Sequence, residues 1–350
     1  MERRQVEAGH SVAPSGYKPQ LDGLRAIASL AVLYNHFVSE DSLLGHAGVQ
    51  LFFVLSGYLI TLILLAGGDR AAAGRPVHSL WHFYARRGLR LWPAYYLALA
   101  VAVLFNFDGI RSSLPWHAFY ATNLYFAVSN QWAPPVIVSW WSLAVEEQFY
   151  LIWPVVLLST PRRFQPFAAL AFLGVSMAAR SLYPLDSVAF WTMPFASFPA
   201  LAIGAMLAMM ERNERTFRWL PILIPMAIGL QWRGFGLSAG WNTQIFELMG
   251  SLAFAGIVAL ASKGYRGPLN WALANPIALY LGKISYGIYL YHTLVRTVIE
   301  REAWRVAPAV LHPGWPKFIV GTAATVAIAS LSWLLLEQPM NRMKRRFPYP

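Results

Sequence analysis

The sequence contains no cysteine and few charged residues. With no thiol among its 350 residues, disulfides, thiolate metal sites and an acyl-cysteine intermediate are excluded. Only 13% of the residues are charged and 57% are hydrophobic, whereas a soluble chain carries roughly 25% charged residues. Apolar stretches of about 18 or more residues recur along the chain. This composition predicts a polytopic helical membrane protein and argues against a soluble enzyme, a disordered chain or a repeat solenoid.

The hydrophobic segments predict an all-α transmembrane bundle of about ten spans. The predicted spans are residues 21–38, 47–66, 91–107, 139–158, 166–183, 190–210, 219–232, 244–262, 275–296 and 317–336. If the N-terminus is cytoplasmic, the connecting segments hold 19 Lys and Arg inside and 4 outside. This asymmetry obeys the positive-inside rule, so we expect both termini in the cytoplasm. The net charge of +12 is then mainly a topology signal, and no nucleic acid partner is expected.

The spans predict one transmembrane domain, residues 21–336, between a cytoplasmic N-terminal segment, 1–20, and a basic cytoplasmic tail, 337–350. The first segment is polar and shows no signal peptide, so we expect the first span to direct insertion. Segment 115–129 is aromatic and moderately apolar. Counting it as a span would invert every later loop against the charge rule, so we predict a re-entrant or interfacial helix outside.

Three ionisable residues interrupt the first span: Asp22, Arg25 and His36. Arg25 and His36 lie within about 20° of the same helix face and about 16 Å apart along its axis. Because ionisable groups inside a span are costly and usually face the bundle interior, this face is a candidate site. The alternative is that Asp22 and Arg25 pair as an interfacial anchor, and that His36 is a satisfied histidine of the bundle.

The adjacent carboxylates Glu146 and Glu147 lie in the Trp-rich fourth span. Neighbouring side chains on a helix point about 100° apart, so at most one of the two faces a given site. A carboxylate within reach of His36 would orient the imidazole and stabilise its cation. The alternative is a structural carboxylate paired with an arginine.

A basic cluster of Arg86, Arg87 and Arg90 lies at the start of the third span. At helical spacing these residues would present guanidinium forks suited to phosphate oxygens. Anionic lipid headgroups are the alternative partner for such a cluster at a cytoplasmic interface.

Tyr289 and His292 share one helical face in the ninth span. Tyrosines near an interface normally form an aromatic belt, but a histidine within a span is less easily explained in that way. The eight histidines are scattered and none forms a cluster with carboxylates at ligand spacing. No metal site is therefore predicted.

Together these segments resemble the acyltransferase-3 family of integral membrane acyltransferases, which modify bacterial surface polysaccharides, lipid-linked sugars and some secreted small molecules. The matching pieces occur in the family's order over nearly the whole chain, and the ten-span topology is similar as well. They are LDGLRAIASLAVLYNH (21–36), GVQLFFVLSGYLIT (48–61), ARRGLRLWPAYY (85–96), WSLAVEEQFYLIWP (141–154), ISYGIYLYH (284–292) and LEQPMNRMKRR (336–346).

The resemblance implies roles for individual residues. His36 matches the catalytic base, and Glu146 matches the acidic residue of the fourth-span motif. The acyl-CoA donor is expected to contact a set of arginines, namely Arg25, Arg86, Arg87 and Arg90. Other recurrent positions are occupied by Ser56, Gly57, Tyr289 and His292, of which Ser56, Tyr289 and His292 are candidates for contacts with the oxyanion or the acceptor.

Two features depart from the broader family. Asn35 and the GVQ of 48–50 stand where Asp is common in the family. The chain also ends soon after the tenth span, without the extracytoplasmic hydrolase-like domain that some members carry. We therefore expect the membrane domain alone to handle the acceptor.

The expected function is transfer of an acyl group, acetyl by preference, from cytoplasmic acyl-CoA to a hydroxyl of an envelope polysaccharide or lipid-linked sugar. The expected location is the bacterial inner membrane, in contact with lipid, and no bound cofactor is expected. His36 would take the hydroxyl proton while the sugar oxygen attacks the thioester, or would itself carry the acyl group in an intermediate.

Two alternatives keep parts of this hypothesis. The same chemistry could act on a small-molecule glycoside. A proton-coupled transporter or flippase of a glycan would instead use Arg25, His36 and Glu146 as a proton relay.

Overall fold

The computed structural model describes residues 17–71, 76–212, 239–302 and 310–347. Within these ranges the chain is helical and contains no β-strand, which confirms the expected all-α class. The helices are α1 (Pro19–Phe37), α2 (Leu43–Ala71), α3 (Pro76–Leu104), α4 (Leu114–Ala118), α5 (Thr122–Ser129), α6 (Trp140–Ser159), α7 (Gln165–Arg180), α8 (Val188–Thr192), α9 (Pro194–Arg212), α10 (Ala239–Lys263), α11 (Pro268–Ala274), α12 (Pro276–Lys283), α13 (Ser285–Glu302), α14 (Trp315–Ser332) and α15 (Gln338–Arg342).

Four helical runs in the described residues are long and apolar enough to cross a membrane. They are Leu43–Gly67, Val188–Glu211, Ala239–Lys263 and Trp315–Arg346. The count rises to five if the runs 80–104 and 107–118, bent by 106° relative to each other, form one broken span. The predicted span 219–232 lies outside the described residues. The total of ten spans and the placement of the termini stay predictions.

Several helices are divided where the sequence predicts one continuous span. The predicted span 275–296 is split at Ile284 into α12 and α13. The predicted span 190–210 is divided at Met193, whose extended backbone ends α8 just before Pro194 opens α9. A proline at the start of a helix is favourable because the missing amide would be unpaired there in any case.

The segment 115–129 contains no helix long enough to cross a membrane by itself. It folds into α4 and α5, which have 5 and 8 residues. Both are far shorter than the roughly 20 residues that a membrane crossing needs. This agrees with the prediction of a non-spanning segment.

Two close helix contacts fix the position of α1. A methyl group at Gly23 would overlap the carbonyl oxygen of Leu273, and one at Gly282 would overlap the carbonyl oxygen of Asp22. The backbones of α1, α11 and α12 therefore touch near the N-terminal end of α1. Small residues allow this approach in membrane bundles, where van der Waals packing replaces the hydrophobic effect between helices.

The helices α2 and α9 cross in the same way. A methyl group at Gly57 would overlap the Leu201 carbonyl oxygen, and one at Gly204 would overlap the Val54 carbonyl oxygen. This crossing is surrounded by a buried apolar cluster that includes the fully buried Trp153. A second buried cluster joins α1, α3, α6 and α13. Together the two clusters hold α1, α2 and α6 in place.

Candidate active site

One cavity, which we call the His36 cavity, lies at the C-terminal end of α1 and has a volume of about 580 Å³. Its wall includes His36 from α1, Tyr289 and Arg296 from α13, and Ser139 just before α6. The side chain of His36 is half-buried. The predicted base therefore lines a space large enough to admit reactants.

His292 of α13 packs against His36. Their ring centroids are 4.9 Å apart, and His292 is fully buried. The Nδ1 atom of His292 lies 2.7 Å from the carbonyl oxygen of Tyr289. Because a carbonyl only accepts hydrogen bonds, Nδ1 must carry the proton, and Nε2 is left with a lone pair.

This tautomer changes the role expected for His292. Its Nε2 atom has no hydrogen-bond partner among the described residues. A neutral His292 cannot donate from that atom to an oxyanion, but the lone pair of Nε2 can accept a hydrogen bond from a hydroxyl. A contact between His292 and the acceptor therefore stays a prediction.

Tyr289 forms part of the wall beside His36. Its hydroxyl donates to the Ser139 carbonyl oxygen at 3.1 Å and lies 2.6 Å from the hydroxyl of Ser142. Trp140, which follows Ser139 in the chain, donates from Nε1 to the Leu290 carbonyl oxygen at 3.1 Å. These bonds tie α6 to α13 and fix the wall of the cavity.

Arg296 supplies the positive charge of the His36 cavity. Its guanidinium forms ion pairs with Glu40 and, at 2.8 Å, with Glu300. Glu300 also binds the buried ammonium of Lys317 at 2.7 Å. A fixed cation at the wall of a reaction cavity is the kind of group that stabilises a developing oxyanion.

A second cavity, which we call the arginine cavity, lies at the N-terminal end of α1 and has a volume of about 410 Å³. Arg25 of α1 and Arg87 and Arg90 of α3 line it together with Lys18. The structure therefore brings three of the four predicted donor-binding arginines into one space.

Arg25 does not form an ion pair with Asp22, which was the alternative interpretation of these two residues from the sequence. The described residues show no ion pair between them, and the Nε atom of Arg25 has no partner. Asp22 instead accepts a hydrogen bond from the Tyr17 hydroxyl at 2.6 Å. Partial burial and this bond raise the pKa of Tyr17 to about 12, so the phenol stays a proton donor.

Arg86 points away from the arginine cavity. It donates to the carbonyl oxygens of Lys344 and Phe347, each at 3.0 Å. Successive residues of a helix diverge by about 100°, so Arg86 and Arg87 of α3 cannot both face one cavity. The sequence places both in one basic cluster, whereas in the structure only Arg87 lines the arginine cavity.

Glu146 belongs with the arginine cavity and not with His36. Its two carboxylate oxygens accept hydrogen bonds from Ser56 at 2.8 Å and from Tyr150 at 3.0 Å. The ring of Tyr150 covers the guanidinium of Arg87 at 4.0 Å. The expected hydrogen bond between Glu146 and His36 is absent from the described residues, and Ser56 is likewise committed to Glu146.

Glu147 faces a different neighbour. One of its oxygens lies 3.5 Å from the indole nitrogen of Trp92 on α3, and the other has no partner among the described residues. Of the two adjacent carboxylates, Glu146 is therefore the one that is hydrogen-bonded to a wall residue of the arginine cavity, Ser56.

Polar side chains on α6 connect the levels of the two cavities. Ser142, Glu146 and Tyr150 follow one another at one-turn intervals, from the Tyr289 hydroxyl at one end to the Arg87 guanidinium at the other. At about 1.5 Å per residue this row covers about 12 Å along α6, compared with the roughly 16 Å between Arg25 and His36 along α1.

Two charged residues that line the cavities were not predicted from the sequence. Arg296 follows His292 by one helical turn, and that spacing within the ninth span could have drawn attention to it. Lys18 was placed in the N-terminal segment, although it donates to the Tyr58 hydroxyl at 2.6 Å and lines the arginine cavity. The described residues include no group of three or more His, Asp or Glu side chains suited to a metal ion.

Comparison with known proteins identifies an acyltransferase domain. A family model, Acyl_transf_3, described as an acyltransferase domain, matches residues 18–334. The peptidoglycan O-acetyltransferase OatA of Listeria monocytogenes is 29% identical over 370 residues, covering 93% of this chain and 56% of OatA. The Bacillus subtilis protein YrhL, to which the same activity is provisionally assigned, is 29% identical over 370 residues, covering 95% of this chain and 56% of YrhL.

The similarity has two limits. The chain spans little more than half the length of these curated relatives. No solved structure matches it.

Proposed function

The chain belongs to the Acyl_transf_3 family of acyltransferases, and from that premise we propose that it is an integral membrane O-acetyltransferase. The donor is acetyl-CoA, which binds from the cytoplasmic side, and the acceptor is a hydroxyl of an envelope glycan. Peptidoglycan is the first acceptor to test, because OatA is named for it. The domain sits in the bacterial inner membrane, with ten spans and both termini in the cytoplasm, as the charge distribution favours.

The observation that carries this proposal is the presence of two cavities on one helix. Arg25 lines the arginine cavity and His36 lines the other cavity. Guanidinium forks suit the phosphates of CoA, and a histidine within reach of a hydroxyl is the usual general base. The row of polar side chains on α6 offers hydrogen-bonding groups along the path between them.

In the proposed reaction, the phosphates of the donor bind Arg25, Arg87 and Arg90, and its arm extends toward His36. His36 removes the proton of the acceptor hydroxyl, and the sugar oxygen attacks the thioester carbon. The carbon–sulfur bond then breaks, and the CoA thiolate takes up the proton from His36. Arg296 is placed to stabilise the negative charge on the carbonyl oxygen.

Glu146 acts in this scheme through the arginines. Its carboxylate, held by Ser56 and Tyr150, balances the charge of the neighbouring Arg87 and fixes the Tyr150 ring that covers it. A half-buried cation that is stacked on an aromatic ring is restrained in orientation before the donor arrives. Glu146 is therefore proposed as a positioning residue for donor binding, and His36 as the catalytic base.

The test is turnover of acetyl-CoA by the purified full chain in nanodiscs, with a peptidoglycan fragment as acceptor. We expect the wild type to release CoA and to give an O-acetylated fragment by mass spectrometry, and His36→Ala to do neither while still binding the donor. The matched control is the exposed His312, whose replacement by Ala should leave turnover unchanged. Failure of the wild type to consume acetyl-CoA would refute the proposal and direct attention to proton-coupled transport.

A small set of outcomes separates the finer steps. Trapping of an acetyl-histidine when acceptor is withheld would show a covalent intermediate in place of direct attack. Turnover with a small glycoside but not with the peptidoglycan fragment would assign the activity to a different acceptor class.

A further inference from the structure

A third cavity lies beside the His36 cavity and is not used in the proposed reaction. It has a volume of about 220 Å³ and lies between α2, α7, α9 and α10. It shares His46, Val49, Trp132 and Trp141 with the His36 cavity. An occupant of this side cavity would therefore be a direct neighbour of a molecule held at His36.

The side cavity contains a buried polar group without a partner. Gln244 of α10 is only 3% exposed, and neither its amide oxygen nor its amide nitrogen has a hydrogen-bond partner in the described part of the chain. Leaving both a donor and an acceptor unsatisfied in a protein interior is costly, and such groups call for an explanation. Because Gln244 lines the cavity, a ligand with its own hydroxyl or amide groups would satisfy both atoms.

A set of paired polar groups on α2, α7 and α10 also lines the side cavity. Glu247 forms an ion pair with Arg180, and one of its oxygens lies 3.2 Å from Nε2 of His46. The guanidinium of Arg180 also lies 4.0 Å from the centre of the Phe190 ring. Gln50 donates to the Glu247 carbonyl oxygen and to Ser251 at 2.9 Å.

Indole rings form part of the apolar wall, beside aliphatic side chains and Phe53. Trp132, Trp141 and Trp191 line the cavity, and the rings of Trp132 and Trp141 meet edge to face with centroids 6.2 Å apart. The face of an indole is apolar and electron-rich, which suits the C–H face of a pyranose ring. A lipid chain would satisfy the indoles but would leave the Gln244 amide unpaired.

We infer that the side cavity is a subsite for one sugar ring of the acceptor glycan, next to the ring that is acetylated. Its volume is below the roughly 300–1,000 Å³ of pockets that enclose drug-sized ligands, so it fits a single ring and not a chain. Gln244 bonds the ring's hydroxyl or acetamido groups, and the indoles pack on its C–H face. This inference rests on the proposed function, because it assigns the neighbouring acceptor ring to the His36 cavity.

The test is direct binding of chito-oligosaccharides, which are short β-linked oligomers of N-acetylglucosamine, to the full chain in nanodiscs by titration calorimetry. We expect saturable binding to the wild type, at least tenfold weaker binding to Gln244→Leu, and wild-type binding to Trp271→Leu. Trp271 is a matched control because its indole is 76% exposed on α11, away from the cavity. No saturable binding to the wild type, or equal binding to Gln244→Leu, would overturn the inference.

Thermal unfolding distinguishes a ligand site from a structural role. Replacing an unpaired buried amide with leucine removes a cost from the folded state, so Gln244→Leu should unfold at the same or a higher temperature while losing sugar affinity. A lower unfolding temperature together with unchanged sugar affinity would show that Gln244 is structural.

Acetyl transfer to the same oligosaccharides separates the two proposals. If the wild type binds them but consumes no acetyl-CoA, either with them or with the peptidoglycan fragment, the subsite stands and the proposed reaction fails. If Gln244→Leu transfers acetyl with an unchanged KM for the sugar, the reaction stands and the subsite fails. The KM for acetyl-CoA should be the same in both proteins.

Discussion

Two adjacent arginines, Arg86 and Arg87, are predicted to respond differently to the same conservative change. Arg87 lines the arginine cavity with its guanidinium stacked on the Tyr150 ring, whereas Arg86 donates to the carbonyl oxygens of Lys344 and Phe347. We therefore expect Arg87→Lys to weaken acetyl-CoA binding and Arg86→Lys to leave it nearly unchanged.

The size of the effect follows from what lysine retains. Arg87→Lys keeps the positive charge but loses the planar fork that suits phosphate oxygens, together with the stack on Tyr150 that orients it. Losing one hydrogen bond costs about 0.5–1.5 kcal/mol, so at 1.4 kcal/mol per factor of ten the dissociation constant of acetyl-CoA should rise about 2- to 12-fold. Arg87→Ala removes the charge-assisted hydrogen bond to phosphate altogether, which contributes about 1.5–3 kcal/mol, so it should weaken binding by about 10- to 150-fold.

The assay is equilibrium binding of acetyl-CoA to each variant in nanodiscs, repeated with dephospho-CoA to isolate the contribution of one phosphate. Arg86→Lys is expected to stay within about twofold of the wild type, because an ammonium can still donate to the two carbonyl oxygens. Equal losses for Arg86→Lys and Arg87→Lys, or no loss for Arg87→Ala, would refute the assignment of the arginine cavity to the donor.

Two further predictions concern stability, and both are checked by thermal unfolding in nanodiscs. Gly57→Ala should destabilise the protein by about 1–3 kcal/mol or more, because the added methyl group overlaps the Leu201 carbonyl oxygen; Gly67→Ala, with nothing within 4 Å, is the control and should be neutral. Asn275→Ala should cost about 0.5–2 kcal/mol, because the Asn275 side chain accepts a hydrogen bond from the Ala278 amide at 2.9 Å and caps α12. An unchanged unfolding temperature for either variant would contradict the packing or the capping described for it.

The sequence was sufficient for features that depend on composition or on a single helix. The scarcity of charge predicted the all-α membrane class. The spacing of Arg25 and His36 placed both on one face of α1, and the structure has each lining a cavity. Such predictions succeed because helical geometry alone relates the residues concerned.

Other features depend on how helices rotate against one another, which one sequence does not encode locally. Glu146 and Glu147 have equal claims in the sequence, and only the packing of α6 against α2 brings Glu146 to Ser56. The separation of Arg86 from Arg87 likewise depends on the position of the C-terminal segment beside α3. The breaks at Met193 and Ile284 are local turns inside segments whose hydrophobicity predicts continuous spans.

The side cavity is a further feature that depends on tertiary packing and that the sequence does not predict. Gln244 is an ordinary polar residue within an apolar stretch, and no motif marks it. Its interest arises from a tertiary fact, namely that α10 buries its amide without giving it a partner.

The backbone contacts of Gly23 and Gly282 have a consequence for which donors the protein accepts. The α1 backbone meets the Leu273 carbonyl oxygen at Gly23, and the Asp22 carbonyl oxygen of α1 meets α12 at Gly282, so α1 has a fixed position in the bundle. Helical geometry sets the rise from Arg25 to His36 at about 16 Å. If the donor phosphates bind at Arg25 and the thioester reacts at His36, the distance along α1 sets the length of the donor arm that joins them. A donor with a shorter or longer arm would place its carbonyl carbon away from His36. A change in the acyl chain beyond that carbon would not alter the distance from the phosphates to the carbonyl carbon.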